Sequence, residues 1–175
     1  MKDDMMTDRH SIRAMALYNR WMNDRLYALC ADLDDDARKA DRGAFFGSIH
    51  ATLDHILLGD RVWMGRFTGR SYQVVPIGTE LYADFDALRV ARAEMDTDIL
   101  AFAEGLTSDW LAGDLTWTSG LDGISRTRPC WLLVTHLFNH QTHHRGQVTT
   151  LLSQLGIDPG PTDLPWMEGF DTAEV

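Results

Sequence analysis

Residues 129–156 read PCWLLVTHLFNHQTHHRGQVTTLLSQLG. Proline at the start suits the first position of a helix, where a missing N–H costs least. Glycine at the end, with Pro159 and Pro161 beyond it, marks a stop. Between them Leu133, Leu137, Val148, Leu151 and Leu155 recur at helical spacing and define one apolar stripe. The stretch is therefore a long amphipathic helix from Pro129 to about Leu155. It also carries four of the seven histidines of the chain, His136, His140, His143 and His144.

Three more helices are legible upstream. The first spans about Ser11 to Leu33, with Ile12, Met15, Leu17, Trp21, Met22, Leu26 and Leu29 on one side. The acidic DLDDDARK that follows reads as a solvated loop. A second helix opens at Phe46 or Gly47 and continues to about Phe67. A third runs from about Phe85 to Gly105, with Leu88, Ala91, Met95, Ile99 and Phe102 at helical spacing. Residues 68–84, punctuated by Gly and Pro, form a long connection. LTWTSGLDGISRTR, residues 115–128, alternates around Asp122-Gly123 and predicts a short β-hairpin. The expected fold is all-α: a four-helix bundle with one long crossover and a hairpin before the last helix, in a single domain over residues 1–175.

Composition bounds the function. With 45% apolar and 24% charged residues the chain fits an ordinary soluble globular protein, and no stretch approaches the length of a membrane span. A formal charge of −10 without a Lys/Arg cluster argues against a nucleic-acid partner. The acidic start lacks the apolar run of a signal peptide. Cys30 and Cys130 match no metal or redox spacing and are expected as free thiols in a reducing cytoplasm. The expected partner is a small molecule or another protein.

On the last helix a turn of roughly 100° per residue places His140 and His144 on the apolar stripe and His136 and His143 at its edge. Inward imidazoles one turn apart suit two ligands on one metal ion, or else two buried rings with hydrogen-bond partners. On the second helix His55 flanks the stripe beside Ser48, Thr52 and Gly59, small residues that permit close approach. His50 points to the opposite flank with Asp54 and Arg61 and is expected at the surface. His55 is thus the better third ligand, completing a three-histidine set with open positions. Imidazoles suit Zn, Ni or Fe. A zincin mechanism is absent, because His140 is followed by Gln141 and not by Glu.

TLDHILLGDRVWM, HLFNHQTHHRGQV and LGIDPGPTDLPWM together resemble the DinB family (DinB/YfiT-like metalloenzymes) over nearly the whole chain. The resemblance implies an up-down-down-up bundle, a divalent metal on His55, His140 and His144, and a homodimer. Some relatives of the wider superfamily are thiol-dependent transferases or isomerases. A metal with an open position would favour a bound thiolate, so the expected activity is thiol-dependent S-transfer to an electrophilic small molecule, with a low-molecular-weight thiol as co-substrate. A metal-dependent hydrolase and a non-catalytic, stress-related metal-binding protein are the alternatives.

Several residues carry further expectations. Asp60, inside the second helix's apolar stripe, is expected to anchor a core partner. Gln147 is placed to reach the metal's outer shell, and Gly146 to pack against another helix. Arg145 lies off the core stripe and is expected to pair with an acid or to hold an anionic substrate. Trp21, Trp63, Trp131 and Trp166 should fill the core and its rim. The Pro-rich tail with Asp163 and Trp166 is expected to fold back over the bundle.

Overall fold

The computed structural model describes residues 2–120 and 122–167, with side chains from Arg9 onward. Four long helices dominate: α1 (Lys2–Ala31), α3 (Ile49–Thr68), α4 (Phe85–Gly105) and α6 (Cys130–Gln154). Two short helices, α2 (Asp35–Lys39) and α5 (Ser108–Ala112), and a hairpin of β1 (Asp114–Thr118) and β2 (Ser125–Pro129) join them.

The helix ends follow from local chemistry. Ser48 and Asp84 cap α3 and α4 by accepting from Ala51 N and Ala87 N at 3.1 and 2.8 Å. Gly69, at φ 71°, ends α3 in a left-handed turn. The acidic loop foreseen after α1 is in fact α2. Asp34 accepts from Ala37 N at 2.7 Å, acids occupy the first turn and Arg38 and Lys39 the last, so the segment complements its own dipole. Pro129 closes the last strand instead of opening α6, and Cys130 N reaches back to Gly113 O at 2.9 Å.

Contacts between helices fix their directions. Arg13 faces Glu104, Asn23 faces Asp96 and Tyr27 faces Phe85, so α1 and α4 are antiparallel. His55 meets His140 and Trp63 meets His136, so α3 and α6 are antiparallel too. Asp60 with Arg92 and Phe67 with Phe102 make α3 and α4 parallel. The order is up-down-down-up, and the crossover between Gly69 and Asp84 is the return that two successive parallel helices require. The hairpin pairs Thr116 with Thr127 and lays Trp117 against Trp63 at 5.4 Å between ring centroids. The tail folds back onto α1, where Tyr18 donates to the Thr162 carbonyl and Arg25 to the Pro161 carbonyl.

A layer of buried polar side chains crosses the middle of the apolar core. Asp60, 0% exposed, accepts from Arg92 on α4 and from Gln141 on α6 at 2.8 Å. Arg92 also pairs with Asp96 at 2.8 Å, and Asp96 accepts from Asn19 and Asn23 of α1. Arg145 donates to Asn19. Asp60 is therefore a core anchor, as expected, but Arg145 is buried and bonded to an amide instead of lying off the core beside an acid. The inward face of α1 likewise includes Asn19 and Asn23, while Ile12, Met15 and Trp21 pack only at the core's edge. Trp63 sits at the rim, yet Trp131 and Trp166 are largely exposed.

Candidate metal centre

α3 and α6 each present one face to the other, and three histidines meet on that seam. One ring nitrogen from each of His55, His140 and His144 lies within 4.8 Å of the others, so the group can hold a metal ion. His140 and His144 meet edge to face, with centroids 4.5 Å apart, because they stand one turn apart on α6. His55 arrives from α3, with its Nε2 3.2 Å from His140 Nε2. Two nitrogens bound tetrahedrally to one ion at about 2.05 Å are roughly 3.3 Å apart, so this spacing already suits coordination.

Each ring is set by a different contact. His144 Nδ1 lies 2.7 Å from Gln147 Oε1. The amide oxygen accepts, so Nδ1 carries the hydrogen and Nε2 keeps its lone pair, the tautomer a metal requires. His55 stacks on Phe46, with centroids 3.8 Å apart, and Phe46 also meets the edge of His144. His140 Nδ1 is buried without a hydrogen-bond partner. That ring is located by steric fit: a Cβ on Gly59 would stand 2.8 Å from its Cε1. The small-residue strip on α3 thus admits an imidazole of α6.

The site keeps its imidazoles neutral. Burial, followed by the charge of His144, lowers His55 to about 4. Burial and then His144 and His55 lower His140 to about 3. Burial lowers His144 as well, against the pull of Gln147. Neutral imidazoles offer the lone pairs a metal binds, and a half-buried setting limits competition from protons.

The remaining histidines fall outside the cluster. His136 and His143 are exposed; His136 lies against Trp63 and His143 beside His144. His50 is not at the surface as expected but fully buried, with Nε2 2.7 Å from the Tyr82 carbonyl. Asp54 on the same flank accepts from Leu81 N and Tyr82 N, and Arg61 donates to Gln73 O and Tyr82 Oη. The crossover covers that flank and supplies partners for all three. Gly146 packs against nothing, contrary to expectation, and the structure offers no reason for it. Phe46 is the site residue that sequence reasoning passed over, although FF between Gly43 and Gly47 was a signal for a turn presenting aromatic rings.

Residues 5–173 match the model of the DinB family. The chain belongs to the DinB family. This DinB-family protein is 28% identical over 152 residues to Protein DinB of Bacillus subtilis (strain 168), covering 83% of this chain and 87% of that one. It is 34% identical over 70 residues to the uncharacterized protein YrdA of the same organism, covering 38% and 41%. A crystal structure of a DinB-like protein from Bacillus cereus superposes with a TM-score of 0.60 at 18% identity, over 81% of this chain and 90% of that chain. That likeness supports the fold. Among the described residues no helix is long and apolar enough to cross a membrane.

Proposed function

We propose that this DinB-family protein is a metal-dependent enzyme in which His55, His140 and His144 hold one divalent ion, Zn, Ni or Fe. The observation that carries the reading is the meeting of three neutral imidazole nitrogens from two helices on one seam. Structural zinc usually takes four protein ligands; here, among the described residues, no carboxylate or cysteine joins the three inside the same radius. Three ligands leave room for a reacting molecule. A bound ion would supply Lewis acidity and favour thiolate over thiol at neutral pH.

The reaction this supports best is S-transfer from a low-molecular-weight thiol to an electrophilic small molecule. The sulfur–carbon bond forms as the bond from that carbon to its leaving group breaks, and the thiol proton passes to solvent. The chain's own part is positional. Gln147 holds the His144 tautomer, Gly59 admits the His140 ring, and Phe46 shields His55 and the edge of His144 from water. Hydrolysis has less support, because it asks for a proton acceptor beside the bound water, and among the described residues no carboxylate lies within the 4.8 Å that spans the three nitrogens.

The test is elemental analysis of protein purified without a histidine tag, followed by thiol-dependent consumption of 1-chloro-2,4-dinitrobenzene. About one equivalent of metal per chain is expected. It should be lost in His55→Ala, His140→Ala and His144→Ala, together with activity. Equal metal content in all four proteins would overturn the ligand assignment. Metal binding without turnover for any thiol would favour a non-catalytic role.

A further inference from the structure

Against His55 lies a cavity of about 320 Å³, between the turn that precedes α3 and the crossover that follows it. Its walls are mainly apolar, with Phe45, Phe46 and Leu58 prominent, and its two charged residues are both acids, Asp54 and Glu80. No lysine or arginine lines it.

The two carboxylates are not equivalent. Asp54 is occupied by the backbone N–H groups of Leu81 and Tyr82 at 2.8 and 2.9 Å. Glu80 is half exposed, with the His50 imidazole Nε2 3.5 Å from its carboxylate. That nitrogen directs its hydrogen to the Tyr82 carbonyl at 2.7 Å. Nearby Lys39 is already engaged by Asp35 and the Ala83 carbonyl, each at 2.8 Å. Among the described residues Glu80 therefore forms no ion pair with a lysine or arginine: the charge of Lys39 reaches it only through space, and its carboxylate keeps acceptor capacity for a ligand.

The mouth of the cavity holds a second unexplained feature. Phe45 is 83% exposed, although large apolar rings usually find cover. It is held there by a closed turn: Arg42 N donates to Gly47 O and Gly47 N to Ala44 O, both at 2.8 Å. Gly43 and Gly47, at φ 71° and 80°, supply the left-handed positions the turn needs. Phe45 meets Phe46 edge-on at 4.9 Å, so the turn presents a two-ring wall beside His55.

We infer that this cavity seats the substrate of the histidine centre, and that the substrate is an apolar, aryl-sized molecule bearing a cationic or N–H-donating group that meets Glu80. The volume falls within the range of small-molecule sites, and aromatic walls with one free carboxylate favour an organic ammonium group over an anion. An anionic molecule is repelled from both acids. The inference rests on the proposed metal centre only for calling the occupant a substrate.

Three probes with one body and different heads test it: 4-phenylbutylamine, 4-phenylbutanol and 4-phenylbutyrate. Binding is measured by calorimetry on metal-free and zinc-loaded protein at neutral pH, for wild type, Glu80→Gln and Phe45→Ala. The expected order is amine, then alcohol, then acid. Glu80→Gln should cut the preference for amine over alcohol by about fivefold, the size of an exposed ion pair. Phe45→Ala should weaken amine and alcohol alike. A preference for the acid, equal binding of all three, or an unchanged amine preference in Glu80→Gln would overturn the inference. Zinc content of the same samples separates the two readings. Zinc bound without amine preference removes the cavity assignment alone, whereas amine preference without zinc removes the metal centre and leaves a binding cavity.

Discussion

Gly59→Ala tests whether fit alone sets the His140 ring. The added methyl would lie 2.8 Å from Cε1 and 3.3 Å from Nδ1 of that ring. Ordinary carbon–carbon contact begins near 3.5 Å, so the ring must swing by about 0.7 Å. Metal–ligand distances tolerate roughly ±0.2 Å, so a displacement of that size takes Nε2 out of place. Mispositioned ligands typically cost about 10–100-fold in metal affinity, the loss expected here. Stability should change far less. Overpacking costs about 1–3 kcal/mol, alanine recovers about 1 kcal/mol of helix propensity, and the clashing atoms are the mobile end of a side chain. The metal-free melting temperature should therefore move by less than about 8 °C. Competition against a chromophoric chelator reads the affinity, and calorimetry reads the melt. Wild-type affinity in Gly59→Ala would refute steric placement of His140.

The other predictions concern charge and burial. His50→Ala should keep its metal yet lose about 2–3 kcal/mol in denaturant unfolding, because a buried ring is removed and the Tyr82 carbonyl loses its donor; loss of metal would place His50 in the site. Asp60→Ala leaves Gln141 without its acceptor and Arg92 with Asp96 alone in the core, and should cost about 3–5 kcal/mol; a change below about 1 kcal/mol would contradict the anchor. His55 and His140 fall from 6.5 to about 4 and about 3 in the fold, so as pH drops the unfolded chain takes up protons first. Metal-free stability should accordingly decline as pH falls from about 6.5 towards 3. Metal affinity, in contrast, should fall by less than about tenfold between pH 7.5 and 5.5, the most that His144, lowered below 6.5, can contribute. Three ordinary imidazoles would lose roughly a thousandfold there, and a loss of that size in titrations would contradict the lowered values.

The helices and the three inward histidines were legible because both depend on local periodicity. His140 and His144 follow from their spacing on one helix, and His55 from the small residues beside it. Arg145, His50, Asp54 and Arg61 were misplaced for a common reason. Each is polar, and whether a polar side chain faces water depends on a partner the local sequence does not name. Arg145 finds Asn19 across the bundle, and the flank of His50 is covered by a crossover whose path composition alone does not specify. α2 was legible in principle from its cap and end charges, but its lack of apolar periodicity hid it.

The separation of 85 residues between His55 and His140 links the site to the making of the chain. Two of the nitrogens come together as soon as α6 forms, but the third joins only after α3 has docked along it. An ion held by all three recognises that docked state and no earlier one. At a hundred times its dissociation constant it would add about 2.7 kcal/mol to the folded protein. Scarcity of the ion would then act on more than reactivity: the α3–α6 seam would open more often, and the protein's lifetime against proteases would follow the cell's metal supply.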